Sequence, residues 1–234
     1  MSDKPHIVAL LPMKANSQRV AGKNFRNFCG KPLFRWILDT LLSVEEIDQI
    51  IINTDARHIL SENGLVESDC VKIRDRKSEI CGDNVSMNLV LADDIANVPS
   101  DLYIMTHTTN PFMTADTIRK AIVAFQDARA TMSDSLFTVD KVQTRLYRAD
   151  CSAFNHDPSN LIPTQKLEPL FEENSNLYLF TAESFDKTKA RIGARPMMFE
   201  GPNFESIDID TPADWDFAVV VARYLQEQKI GNSK

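Results

Sequence analysis

Residues 7–24 read IVALLPMKANSQRVAGKN. The opening five residues are an unbroken apolar run, the pattern of a strand buried on both faces, and the loop that follows to Lys31 is polar. That loop carries Lys14, Asn16, Ser17, Gln18, Arg19, Gly22, Lys23 and Asn24, a dense set of cations and hydrogen-bond donors at a strand end. Such a set suits a triphosphate. It matches neither the GxxxxGK(S/T) phosphate loop nor the GxGxxG dinucleotide turn, and a merely solvated basic loop has the same composition.

Outward from this segment the chain alternates. Pro32 opens a helix on which Leu33, Phe34, Ile37, Leu38, Leu41 and Leu42 recur at helical spacing. Residues 49–53 (QIIIN) read as the next strand and 55–63 as a helix. Helix 85–96, strand 102–106, helix 114–128 capped by Thr114, and strand 135–139 continue the rhythm. Repeated strand–helix alternation predicts an α/β fold: a Rossmann-like, mostly parallel sheet with helices on both faces, whose polar loops after Leu11, Asn53 and Thr106 converge at the strand ends. Between 140 and 173 the rhythm breaks at Pro158, Pro163 and Pro169, which fits an excursion from the sheet. Strands at 177–181 and 197–200 follow, and 213–228 closes as an amphipathic helix offering Trp215, Phe217, Ala218, Val221 and Leu225 for packing. Residues 1–234 are expected to make one domain.

Composition narrows the function classes. The chain has 234 residues, 43% hydrophobic and 25% charged, with a net charge of −7, which excludes broad cationic binding to nucleic acid but not a small anionic ligand met by a few local cations. No stretch approaches the ~20 apolar residues of a membrane span and the start does not read as a signal peptide, so a cytoplasmic protein with no membrane partner is expected. Cys29, Cys70, Cys81 and Cys151 show no CxxC spacing and are read as reduced thiols.

Asp208 and Asp210 stand two residues apart in SIDIDT, so in an extended segment both carboxylates point to one face and could share a Mg²⁺ with phosphate oxygens. A DxD pair also occurs at ordinary polar strand ends.

LLPMKANSQRVAGKN followed by FRNFCGKPLFRWIL resembles the opening of the cytidylyltransferases that activate sialic and related nonulosonic acids. Their pattern is similar to ARxxSxxxxxKN and then GxPLxxxxI, and Ser17, Lys23, Asn24, Gly30, Pro32 and Leu33 fall in matching places. Lys14 stands at the family's loop arginine, keeping the charge without the bidentate fork. The resemblance extends to NTD (53–55), RKSEICGD (76–83), THTTNPF (106–112), ENSNLYLF (173–180) and SIDIDT (206–211). It implies Lys14, Lys23 and Asp210 as catalytic residues, with Asn16, Ser17, Asn24, Arg76 and Ser86 near the nucleotide. Asp208 and Asp210 would be the Mg²⁺ ligands, and His107, at a family glutamine, would lie near the sugar with Gln165 and Asn174. For His107 an ordinary structural role is equally compatible. Thr164 stands where some members carry an arginine for the substrate carboxylate, leaving Arg145 or Arg148 as substitutes or as plain surface charge.

The implied reaction is transfer of CMP from CTP to an acidic nine-carbon keto sugar, in a homodimer formed through residues 140–173. Alternatives are a cytidylyltransferase for another acidic sugar such as 3-deoxy-manno-octulosonate, a DxD glycosyltransferase, or a nucleotide-binding homologue without catalysis.

Overall fold

The structure, a computed structural model, describes residues 4–17, 19–130 and 132–231. Gln18 of the predicted phosphate loop lies outside them. The strands are β1 (Ile7–Leu10), β2 (Asn27–Phe28), β3 (Lys31–Pro32), β4 (Gln49–Thr54), β5 (Val71–Asp75), β6 (Leu102–Thr106), β7 (Ser135–Val142), β8 (Leu170–Phe180) and β9 (Pro196–Glu200). The helices are α1 (Leu33–Leu42), α2 (Arg57–Glu62), α3 (Met87–Asn97), α4 (Ala115–Arg129), α5 (Ala182–Thr188) and α6 (Pro212–Gly231).

Seven strands form one sheet in the order β5-β4-β1-β6-β8-β7-β9, and β2 and β3 make a separate antiparallel pair. β8 runs antiparallel to both β6 and β7, while the other neighbours are parallel. The expected α/β architecture is therefore present. β1 is buried along its whole length because successive side chains enter two different cores. Ile7 and Ala9 pack beneath α1 and α4 with Phe34, Ile37, Ile118 and Phe125. Val8 and Leu10 face the opposite layer, with Leu91 of α3 and Phe185 of α5.

A third apolar cluster concerns the site directly. Val20, Phe28 and Leu33 from the segment after β1 pack with Phe112, with Ile209, and with Trp215 and Ala218 of α6. Phe28 meets Trp215 edge-on at 5.2 Å, and the Arg26 guanidinium lies 4.5 Å above the Trp215 ring. Burial of this cluster holds the last segment of the chain against the first loop.

Several expectations need correction. Phe217 does not pack inward; it is 57% exposed and shares an outer face of α6 with Val220 and Tyr224. At 100° per residue, Trp215, Ala218, Val221 and Ala222 share the buried face and position 217 falls away from it. β5 and α5 carried no prediction. β5 is an edge strand interrupted by Lys72 and Arg74, whereas α5 is short and is set by the Thr181–Ser184 capping box. The excursion is also narrower than 140–173, because β7 and β8 stay paired through Val142↔Leu170 and only the intervening residues leave the sheet. A bulge between Phe137 and Val139, opposite Ser175 at φ 56°, bends this pair.

Candidate active site

Loops following β1, β5 and β6 converge around a cleft of about 370 Å³, whereas the loop after β4, expected among them, meets the first loop through Asp55 without lining the cleft. The first loop is held in place by its own polar residues. Arg76 donates from Nε to Asn53 Oδ1 at 2.9 Å and from its NH2 nitrogen to the carbonyls of Asn53 (2.8 Å) and Met13 (3.1 Å). Its burial disfavours the charged form, lowering its pKa. Asn53 in turn donates to Asp94 Oδ1 at 2.8 Å. Asp94 is 0% exposed and Oδ2 finds no hydrogen-bond partner, so despite its Arg74 ion pair burial raises its pKa to about 6. Asp55 accepts from the Ala15 amide at 2.7 Å, giving NTD a structural task in shaping the loop.

Gly22 adopts the left-handed conformation (φ 59°) and a short 3-10 turn carries Lys23 and Asn24 inward. Lys23 is only 6% exposed; its Nζ donates to the Ile209 carbonyl at 2.6 Å and to Asp210 Oδ1 at 3.1 Å. Arg19 reaches the other oxygen of Asp210 at 2.9 Å. Asn24 donates to the Lys14 carbonyl at 2.9 Å and accepts from Thr108 at 2.6 Å, tying the first loop to the end of β6. Lys14 lines the cleft and pairs with Asp83 on its rim.

Ile207 and Ile209 turn into the α6 cluster, and Asp208 and Asp210 occupy the alternating positions on an extended segment that forms no sheet ladder. Ile209 donates its amide to the Thr109 carbonyl at 2.9 Å. Burial pushes the Asp208 carboxyl above the usual range, against a hydrogen bond from Thr109, and its Oδ1 is buried without a partner. Asp208 does not line the cleft; its orphaned oxygen, beside Asp210, is the feature that fits a cation, which would compete with Arg19 and Lys23 for the Asp210 carboxylate. Among the described residues no group of three or more His, Cys, Asp or Glu could hold a metal, so a cation here would draw its remaining ligands from phosphate and water. Thr211 and Asp214 cap α6 through mutual hydrogen bonds and stabilise the turn after Asp210.

Of the residues assigned from sequence, Lys14, Ser17, Lys23, Asn24, Arg76, His107 and Asp210 line this cleft. Asn16 is exposed beside it. Ser86 is the N-cap of α3, accepting from Asn88, and borders a smaller depression with Asn88 and Arg191; Met87 walls both spaces. Asn174 sits at the bulge, donating to Asp140 at 3.2 Å, and Gln165 is exposed on the excursion. Arg145 and Arg148 donate to excursion carbonyls of Ile162 and Ala153.

His107 is half-buried, and burial together with the Arg191 charge lowers its pKa to about 3, so the ring is neutral near pH 7. Its Nε2 lies 3.3 Å from the NH1 nitrogen of Arg191. Arg191 was missed by sequence reasoning: it stands in the loop after α5, inside no motif, and reaches the site only through folding.

Residues 8–218 match the family described as Cytidylyltransferase. Over 234 aligned residues the chain is 25% identical to the CMP-N,N'-diacetyllegionaminic acid synthase of Legionella pneumophila, covering 94% of this chain and 98% of that one. It is 21% identical to a pseudaminic acid cytidylyltransferase of Campylobacter jejuni, covering 94% and 97% respectively. Among solved structures it is similar in fold to a CMP:2-keto-3-deoxy-manno-octonic acid synthetase complexed with CTP (TM-score 0.64, 15% identity, 94% of this chain and 99% of that one). A 4-diphosphocytidyl-2C-methyl-D-erythritol synthase from Anaerococcus prevotii gives TM-score 0.65 at 17% identity, over 96% and 97% of the two chains. With a family match spanning nearly the whole sheet and every loop of the cleft, this chain belongs to the cytidylyltransferase family.

Proposed function

We propose that this enzyme transfers CMP from CTP to the anomeric hydroxyl of a nonulosonic acid and releases pyrophosphate. The observation that carries the reading is the joining of Lys23 to Asp210 in the cleft, which brings the cationic loop and the DxD segment to one place. The curated relatives named for legionaminic and pseudaminic acids support this sugar class.

In the reaction the sugar oxygen forms a bond to the α-phosphorus, the bond to the β-phosphate bridging oxygen breaks, the hydroxyl proton is released, and pyrophosphate departs with the electron pair. Lys14, Lys23 and Arg19 place positive charge along the phosphate path, and Asn24 with Thr108 fixes the loop that presents them. Arg76 donates to Asn53 and to the Met13 carbonyl, so its part is to shape the loop while adding charge at the cleft wall. A Mg²⁺ ion held by Asp208 and Asp210 would supply charge neutralisation at phosphate oxygens. His107, neutral near pH 7, is a hydrogen-bonding group toward the sugar; a pKa near 3 makes it a poor proton acceptor.

We assign the excursion between β7 and β8 to a homodimer contact that brings Gln165 toward the partner's sugar site. Its exposed Tyr147, Phe154 and Leu161 supply apolar surface for that contact. The deciding assay incubates the protein with CTP, Mg²⁺ and sialic, legionaminic, pseudaminic or octulosonic acid, and measures pyrophosphate. Release with a nine-carbon acid is expected. Release with octulosonic acid alone would move the assignment to that sugar, and hydrolysis of a preformed nucleotide sugar without pyrophosphate would replace it with glycosyl transfer.

A further inference from the structure

Arg191 is built into the structure more firmly than a surface arginine. Its guanidinium lies 3.8 Å from the centroid of the Tyr178 ring, a stack that fixes the plane of the group. Its backbone amide donates to Asn88 Oδ1 at 3.4 Å, anchoring the loop to α3. The side chain is 20% exposed. From that position NH1 faces His107 Nε2 at 3.3 Å, and His107 lines the cleft. Arg191 itself lines the smaller adjoining depression with Ser86 and Asn88, which shares Met87 with the cleft, and it meets the cleft through His107.

Among the described residues the guanidinium has one carboxylate partner, Glu173, met through NH2 at 3.3 Å, longer than a well-formed charge-assisted hydrogen bond. The same oxygen, Oε1, also accepts from the Tyr178 hydroxyl. A planar fork suited to two parallel hydrogen bonds to one carboxylate therefore meets a carboxylate through a single shared oxygen, with NH1 facing His107 Nε2 and Met105 Sδ (3.8 Å) instead, and the Glu173 side chain is 40% exposed. Arg145 and Arg148, the candidates from sequence, instead donate to backbone carbonyls of the excursion.

We infer that Arg191 reads the carboxylate of the acceptor sugar: the substrate carboxylate takes the place of Glu173 and engages both outer nitrogens of the guanidinium, while His107 hydrogen-bonds alongside. Glu173 then acts as a resident stand-in that keeps the arginine paired and oriented when no sugar is bound. The inference rests on the transfer of CMP to an acidic keto sugar.

The experiment compares wild type with Arg191→Lys, Arg191→Ala and Glu173→Gln in steady-state pyrophosphate release, varying CTP and the preferred acid separately. It uses the acid and its carboxyl methyl ester, which retains the anomeric hydroxyl. Losing the fork should raise the sugar KM on the order of 30-fold in Arg191→Ala, and by a smaller factor in Arg191→Lys, with the CTP KM unchanged as the check on folding. Wild type should prefer the acid strongly over the ester and Arg191→Ala should lose that preference, whereas Glu173→Gln should lower the sugar KM. Sugar KM values within twofold of wild type in both arginine variants, with acid-over-ester preference intact, would overturn the role of Arg191 and leave the activity standing. Wild-type protein that releases no pyrophosphate with any acidic keto sugar would overturn the activity itself, and the role of Arg191 with it.

Discussion

The two ends of the cleft are built differently. At the phosphate end, Lys23, Asn24 and Arg76 hold backbone carbonyls from distant segments at 2.6–3.1 Å, and Lys23 and Asn24 are nearly fully buried. At the other end, His107, Arg191 and Glu173 meet at 3.3 Å through partly exposed side chains, and Gln165 lies on an excursion. Side chains that hold backbone cannot move without moving loops, whereas a side-chain-only constellation re-pairs at the cost of a few rotamers. The contrast teaches that, on the proposed assignment, the part of the site facing the nucleotide would be rigid by construction and acceptor choice would rest on groups that can change partners.

The strongest attempt to break this contrast is Lys23→Ala. It removes a cation from the phosphate path and leaves the Ile209 carbonyl without its 2.6 Å donor, so kcat should fall roughly 10²–10³-fold while the sugar KM moves little. A kcat within tenfold of wild type, measured by pyrophosphate release, would show that the buried lysine serves packing alone.

The support behind the phosphate end can be probed by pH. Asp94, with a folded-state pKa of about 6 against an ordinary value of 3.8, binds its proton more tightly in the folded chain. Stability from this group is therefore greatest at low pH and declines as pH rises from about 4 to about 6, by up to about 3 kcal/mol, and is then level. The wild-type unfolding free energy minus that of Asp94→Asn should follow this decline in denaturant titrations at each pH. A difference that is flat or rises across that window contradicts the buried, half-satisfied carboxyl.

His107→Gln tests the adjustable end. A roughly tenfold rise in sugar KM with kcat retained is expected, the size of one lost hydrogen bond to substrate. Because His107 titrates near pH 3, the wild-type and variant rate profiles should run parallel between pH 5 and 8. The stability contribution has the opposite sign to that of Asp94. The depressed folded-state pKa makes the neutral ring a stabiliser above about pH 6.5, and that stability is lost on acidification toward pH 3. An inflection near pH 6.5 that vanishes in the variant would assign His107 a proton-transfer role instead. The smallest effect is expected from Arg145→Ala and Arg148→Ala, whose exposed contacts to excursion carbonyls predict less than about a twofold change in sugar KM. A larger change in either would move carboxylate recognition onto the excursion.

Much of the phosphate end was legible beforehand, because Lys14, Ser17, Lys23 and Asn24 are neighbours on one loop and their proximity is covalent. The burial of Arg76 against Asn53 was not legible, since it depends on β4 and β5 lying side by side. The outward turn of Phe217 was hidden for a related reason: the apolar residues of α6 occupy two faces, and only the neighbours present decide which is covered.

Sequence by itself determined the α/β class and the chemistry of the first loop, because periodicity and strand-end position are local properties of the chain. The tertiary structure alone decided that Lys23 meets Asp210 across 187 residues and that Arg191 meets His107 across 84. Contacts at such separations are set by the order in which strands pair and by which side chains the shared core forces inward, and neither is written in any single segment.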